Sequence, residues 1–325
     1  MKRLLLALAW LAALLTGCSP TTADGGVSSQ AGQPSAAARP SPSATATAAP
    51  TATPSPPPCN PQTADFCIVD GHFVLQRPIP PDGNDWVDPS YRYGYTQNER
   101  REPHHGVEFV NPQGTPVLAA AEGTVIFAGD DSATLLGPLT GYYGNVIVLE
   151  HHLPQVEAPL FTLYAHLSRL DVLPGQTVAA GQTIGAVGMT GIAIGSHLHF
   201  EVRLGRNDYR STRNPELWLV PRLDEDGQPY GALALRVADG YGQPLPVFPA
   251  LQYFPARDGP PTWELQLEPY PRETLNADDL WGENFALGSL TPGWYRISFI
   301  QMGRLYERWI EIRPGKLTVV RFEIP

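Results

Sequence analysis

The sequence predicts a mostly β protein. Glycine (31) and proline (35) make up about a fifth of the 325 residues, against an ordinary share of roughly 12%. β-prone runs are short and separated by Gly, Pro, Asn and Asp, and no stretch keeps a helical period over three turns. The formal charge of −10 argues against partners held by phosphate neutralisation, because nucleic-acid binders need a basic face to displace counterions. No nucleic-acid partner is expected.

Lys2 and Arg3 precede the apolar run Leu4 to Leu15, too short for a membrane span and of the length of an export signal. The run ends in Leu15-Thr16-Gly17-Cys18, which resembles the lipobox of bacterial lipoproteins, where processing leaves a lipid-bearing cysteine as the new N-terminus. Residues 1–18 therefore read as a lipoprotein signal, Cys18 as the lipidation site, and the product as an extracytoplasmic, membrane-anchored protein of the cell envelope. Residues 19–58 are almost entirely Ala, Pro, Ser and Thr, a composition that cannot bury enough apolar surface to offset the entropy of ordering. They read as a tether reaching on the order of 120 Å if fully extended. With Cys18 lipidated, Cys59 and Cys67 remain in a compartment that permits oxidation, and their pairing is expected. So short a loop contributes roughly 2–3 kcal/mol in the chain-entropy model.

β-prone runs follow at His72 to Gln76, Pro116 to Ala120, Gly123 to Ala128, Asn145 to His151, Phe161 to His166 and His197 to Arg203. They define a first domain over 59–222, with 59–72 as a short cysteine-containing lead. A second unit, 230–325, reads as a small antiparallel β-sandwich with strands at Ala232 to Val237, Trp263 to Leu267, Trp294 to Ile300, Leu305 to Ile312 and Leu317 to Ile324. In the last, Val320, Phe322 and Ile324 share one face while Arg321 and Glu323 take the other. Trp263, Trp281 and Trp294 either fill this sandwich or offer stacking faces to a cell-wall or protein partner.

Five of the eight histidines sit in three short motifs. His104-His105-Gly106-Val107-Glu108 sets an imidazole and a carboxylate four residues apart, about 13 Å along a straight strand, so a bend at Gly106 is expected to bring them together. His197-Leu198-His199 projects two imidazoles from one strand face. Tyr164-Ala165-His166 places a third at the end of a β-prone run. Zinc suits such a set, because it accepts imidazole nitrogen and carboxylate oxygen in a tetrahedral shell with a fourth place for water. His72, His105, His151 and His152 read as structural, as does Asn145. Glu201 is on the strand face of His197 and His199, placed either to orient an imidazole or to face solvent.

These motifs occur together with Gly114-Thr115-Pro116-Val117, Gly123-Thr124-Val125, Tyr143-Gly144-Asn145 and Gly181-Gln182-Thr183-Ile184-Gly185. In that order, from Phe73 to Trp218, they resemble the lysostaphin-type (LytM-like) zinc endopeptidases. The resemblance implies a two-sheet antiparallel β domain whose groove holds Zn2+ and cuts the peptides of peptidoglycan. It implies His104, Glu108 and His199 as metal ligands, and His166 and His197 as catalytic histidines. Glu108 stands where the family usually has aspartate. That departure keeps an alternative open, a catalytically silent relative that binds and activates cell-wall amidases.

Overall fold

Strands carry the architecture in this computed structural model, which describes residues 59–61, 63–271 and 275–325. The expected signal, the lipidation site Cys18 and the tether lie outside the described residues. Helix is confined, among the described residues, to three single 3-10 turns at Asp131–Ala133, Tyr209–Ser211 and Pro215–Leu217.

The largest sheet has seven strands, all antiparallel. Thr212–Arg213, His197–Leu204, Leu160–Ala165, Asn145–His151, Gly123–Asp130 and Thr177–Val178 follow one another across it. Val107–Val110 joins the edge of His197–Leu204 that also receives Thr212–Arg213, so the two short strands share that edge, one at each end. A three-stranded sheet, Pro116–Leu118, Thr183–Ala186 and Arg169–Leu170, completes the first region. The protein is thus mostly β, with two antiparallel sheets where the sequence places its histidine motifs.

Two four-stranded sheets follow. One orders Phe66–Val69, Leu317–Ile324, Gly231–Asp239 and Phe285–Leu290; the other orders Trp263–Gln266, Ala250–Phe254, Gly293–Gln301 and Arg304–Ile312. Leu317–Ile324 runs parallel to Gly231–Asp239 and antiparallel to Phe66–Val69, so the lead segment adds its strand to the C-terminal sheet. Cys59 and Cys67 are disulfide-bonded with Cα atoms 5.7 Å apart, pinning the start of that strand.

Period-two alternation puts this sheet between two cores. Leu233, Leu235, Val237, Val320, Phe322 and Ile324 face the sandwich interior with Ile297 and Ile310, whereas Ala232, Ala234, Ala286, Leu317 and Val319 pack into the cluster that contains Phe109, Ile147 and Phe200. Each fully buried aliphatic side chain contributes roughly 1.5–3 kcal/mol. The small alanines let the sheet approach the first region closely.

The strand expected at His72 to Gln76 is a single bridge, Leu75 to Leu219. Phe73 takes φ 37°, which ends an extended run. His72 turns to Asp278 (2.9 Å) and stacks on Trp218 (4.2 Å between rings). Trp281 is buried beside it, whereas Trp263 packs on Tyr295 and Trp294 lies under Arg257.

Candidate active site

Strand register builds the site. Glu108 stands directly opposite His199 in the pairing of Val107–Val110 with His197–Leu204, and residues paired this way present their side chains to the same face. Gly106 has an ordinary backbone conformation, so its role differs from the expected bend. A Cβ there would meet the Phe200 carbonyl at 2.5 Å and the His199 ring at 2.9 Å. Glycine is required by close approach, and the missing side chain is what admits the His199 ring. His104 precedes the strand and is held by reciprocal backbone bonds, its carbonyl accepting from Gly94 and its N–H donating to Tyr95. The His104, Glu108 and His199 donor atoms lie within 4.8 Å of one another.

Hydrogen bonds fix the tautomer of each ring. His104 Nδ1 donates to the Tyr91 carbonyl (2.8 Å), His166 Nδ1 to the Thr190 carbonyl (2.8 Å), and His197 Nδ1 to the Gly195 carbonyl (3.1 Å). His199 instead donates from Nε2 to Glu201 (3.0 Å). A neutral imidazole carries one N–H, so each remaining nitrogen presents a lone pair. Those of His104 Nε2 and His199 Nδ1 face each other at 3.1 Å. Two lone pairs at that distance repel unless a cation stands between them, and a tetrahedral metal ion about 2.05 Å from each nitrogen separates such a pair by roughly 3.3 Å. The donor set therefore fits a metal ion.

Glu108 Oε1 lies 3.8 Å from His104 Nε2 and 3.6 Å from His197 Nε2, and His197 Nε2 is buried without a hydrogen-bond partner. Burial disfavours the charged form of an imidazole. It holds His104 well below the ordinary histidine value, reinforced by His199, and takes His166 to about 3, reinforced by His199 and His197. His197 is lowered in the same way although Glu108 opposes the shift. His166 also sits just past the end of its strand with φ 62°, a left-handed conformation that non-glycine residues hold only where the surroundings enforce it. Its N–H bond to the Tyr143 carbonyl does so.

Behind His199, Glu201 is fully buried. Burial alone would raise its carboxyl, but the Arg203 guanidinium (2.8 Å from Nε) and hydrogen bonds from His199 and the Tyr143 hydroxyl hold it at about 2. Of its two sequence readings, the orienting one matches its position. Arg203 and Tyr143 were not legible as partners, because only the fold sets them beside Glu201.

The remaining histidines are anchored elsewhere. His105 stacks on Tyr209 and bonds the Tyr209 carbonyl and the Thr212 hydroxyl, His151 uses both nitrogens on Glu122 and Thr162, and His152 is solvent-exposed beside Glu150. Asn145 ties its amide to the Leu167 carbonyl. A groove of about 430 Å³ opens over the cluster, walled by Tyr91, Arg101, Glu102, Tyr142 and the exposed Ile192 and Ile194.

Residues 102–211 match the model of peptidase family M23. The DD-carboxypeptidase/endopeptidase Mpg of Neisseria meningitidis is 42% identical over 101 residues, covering 31% of this chain and 20% of that protein. The peptidoglycan DD-endopeptidase ShyA of Vibrio cholerae is 36% identical over 104 residues, 32% of this chain and 21% of that protein. The chain thus spans about a fifth of the length of these curated relatives. Among solved structures, a zinc containing peptidase from Vibrio cholerae is 31% identical over 42% of this chain and 38% of that one, with a TM-score of 0.33. The part of the chain that is similar to peptidase family M23 is thus the part that holds His104, Glu108, His166, His197 and His199.

Proposed function

We propose that this protein is a zinc-dependent endopeptidase that hydrolyses peptide bonds of bacterial peptidoglycan, acting outside the cytoplasm from a membrane anchor at Cys18. The observation that carries the reading is the pair of facing lone pairs on His104 and His199 with the Glu108 carboxylate beside them and two further imidazoles open to the same groove. Two of the relatives, a DD-carboxypeptidase/endopeptidase and a peptidoglycan DD-endopeptidase, support the substrate class.

His104, Glu108 and His199 would hold the zinc. When bound, zinc supplies Lewis acidity toward a peptide carbonyl and toward water near neutral pH. The side chains around it do the proton work. His166 and His197 each keep Nδ1–H on a backbone carbonyl, so each Nε2 can take a proton from water in the groove and, once protonated, donate a hydrogen bond to the oxygen of the tetrahedral intermediate. Tyr91, stacked at 4.1 Å on His104, limits that ring's rotation.

Zinc-loaded protein is expected to release soluble fragments from cross-linked peptidoglycan, identified by mass spectrometry. His197→Ala should abolish release while retaining metal, and His199→Ala should lose both. Protein that binds zinc yet releases nothing from walls of any source refutes the reading. Glu108, in place of the family's aspartate, favours a second reading, a silent scaffold that activates cell-wall amidases. Zinc stoichiometry on metal-depleted and refilled protein separates them: about one ion per chain for the enzyme, none for the scaffold.

A further inference from the structure

We propose that Arg101 selects substrates carrying a carboxylate near the scissile bond, and that Glu268 of the C-terminal sandwich positions the loop on which Arg101 stands. The inference rests on the peptidase reading and adds to it a substrate feature and a task for the second region.

Arg101 lines the groove together with His104 and Glu108. Its guanidinium carbon lies 4.7 Å from the centre of the Tyr91 ring, and that ring stacks on His104. The cation is therefore one aromatic ring away from the metal-facing imidazole, within about two residues of the reacting bond for an extended peptide. Arg77, Arg92, Arg203 and Arg222 are each paired with a carboxylate. Arg101 has no ion-pair partner among the described residues. A guanidinium resting on an aromatic face keeps its edge donors free, and their fork matches a carboxylate in a bidentate geometry. The other ionised groups on the groove wall are acidic, Asp88, Glu102 and Glu108, so a substrate carboxylate has one favourable place to rest.

The loop that carries Arg101 is under strain. Gln97, Asn98 and Glu99 take φ 54°, 59° and 61° in succession, a left-handed run that side chains disfavour and that persists only when its surroundings hold it. Thr96 is the holding point. Its carbonyl accepts from the backbone N–H groups of Arg100 (3.0 Å) and Arg101 (2.9 Å), and its hydroxyl accepts from Glu99 N–H (2.9 Å). Thr96 in turn donates its own N–H (2.8 Å) and its hydroxyl to one carboxylate oxygen of Glu268. The clamp on the selectivity loop thus comes from 172 residues further along the chain.

The test compares a synthetic stem peptide bearing a free carboxylate with its amidated counterpart, using the zinc-loaded full chain. Wild type is expected to prefer the carboxylate form by about tenfold to a hundredfold in kcat/KM, carried by KM. Arg101→Gln should bring the two peptides within about twofold of each other. Glu268→Ala should cut the preference several-fold at unchanged zinc content, and Glu268→Gln should restore it, because an amide oxygen accepts the same two donors. Equal use of both peptides by wild type, or a preference that survives Arg101→Gln, overturns the selectivity. A preference that Glu268→Ala leaves intact overturns the clamp. If neither peptide is cleaved, calorimetric titration of the same pair decides: carboxylate-selective binding lost in Arg101→Gln upholds Arg101 while the peptidase reading fails, and equal binding overturns both.

Discussion

At one end of the seven-stranded sheet, His151 closes the strand Asn145–His151 with both ring nitrogens satisfied, by the Glu122 carbonyl and the Thr162 hydroxyl, each at 2.7 Å. At the other end, His104, His166, His197 and His199 each satisfy one nitrogen and turn the other toward a groove. Both groups are buried, and burial lowers His151 much as it lowers His197. Burial and basicity therefore do not separate structural from functional histidines here. The unmet nitrogen does, because a polar atom left without a partner in the interior needs a ligand to complete it.

The sharpest way to break this contrast is to remove rings from the groove. His166→Ala and His197→Ala should each lower kcat by about 10²–10⁴ while zinc content stays near one per chain, read by steady-state kinetics and atomic absorption. If either loss comes entirely through missing metal, the division between ligands and proton carriers is wrong. Next in size is Glu201→Gln, which removes the charge that His199 donates to and should weaken zinc affinity about 10–100-fold in a competition with a chromophoric chelator.

His151→Ala tests the opposite end. It removes a fully buried ring together with its bonds to the Glu122 carbonyl and the Thr162 hydroxyl, so unfolding in urea should show a loss of about 1–3 kcal/mol, with zinc affinity and kcat per folded molecule unchanged. A pH-dependent effect concerns Glu283, at the seam between the two regions. Burial, reinforced by Asp278, raises its carboxyl to about 8. The folded state thus keeps a proton that the unfolded chain gives up near the ordinary carboxyl value. The stability tied to that proton is complete below about pH 4.5 and is lost as pH rises toward 8, at no more than about 1.4 kcal/mol per pH unit. Glu283→Gln should flatten the decline of Tm between pH 5 and pH 8.

The histidine motifs were legible because each is local. His197 and His199 share a face by strand periodicity, and the strand bounds Asn145–His151 and Leu317–Ile324 coincide with the apolar runs that suggested them. Contacts between distant segments were not legible. Nothing in Gly106 announces that the Phe200 carbonyl occupies the space of its side chain. Glu268 is one acidic residue among 32 Asp and Glu until the fold sets it against Thr96. The short strand Val107–Val110 went unread because its four residues contain the carboxylate that matters, and its pairing is fixed by the partner strand more than by its own composition.

Leu317–Ile324 is an inner strand, flanked by Phe66–Val69 on one side and Gly231–Asp239 on the other. During synthesis the early strand therefore waits, without its neighbour, until the last one leaves the ribosome, an interval on the order of tens of seconds. A message cut short before codon 317 would yield a chain whose histidine-bearing sheet is complete in sequence but whose shared wall is missing its middle, exposing on one side the surface that Leu317 and Val319 normally cover.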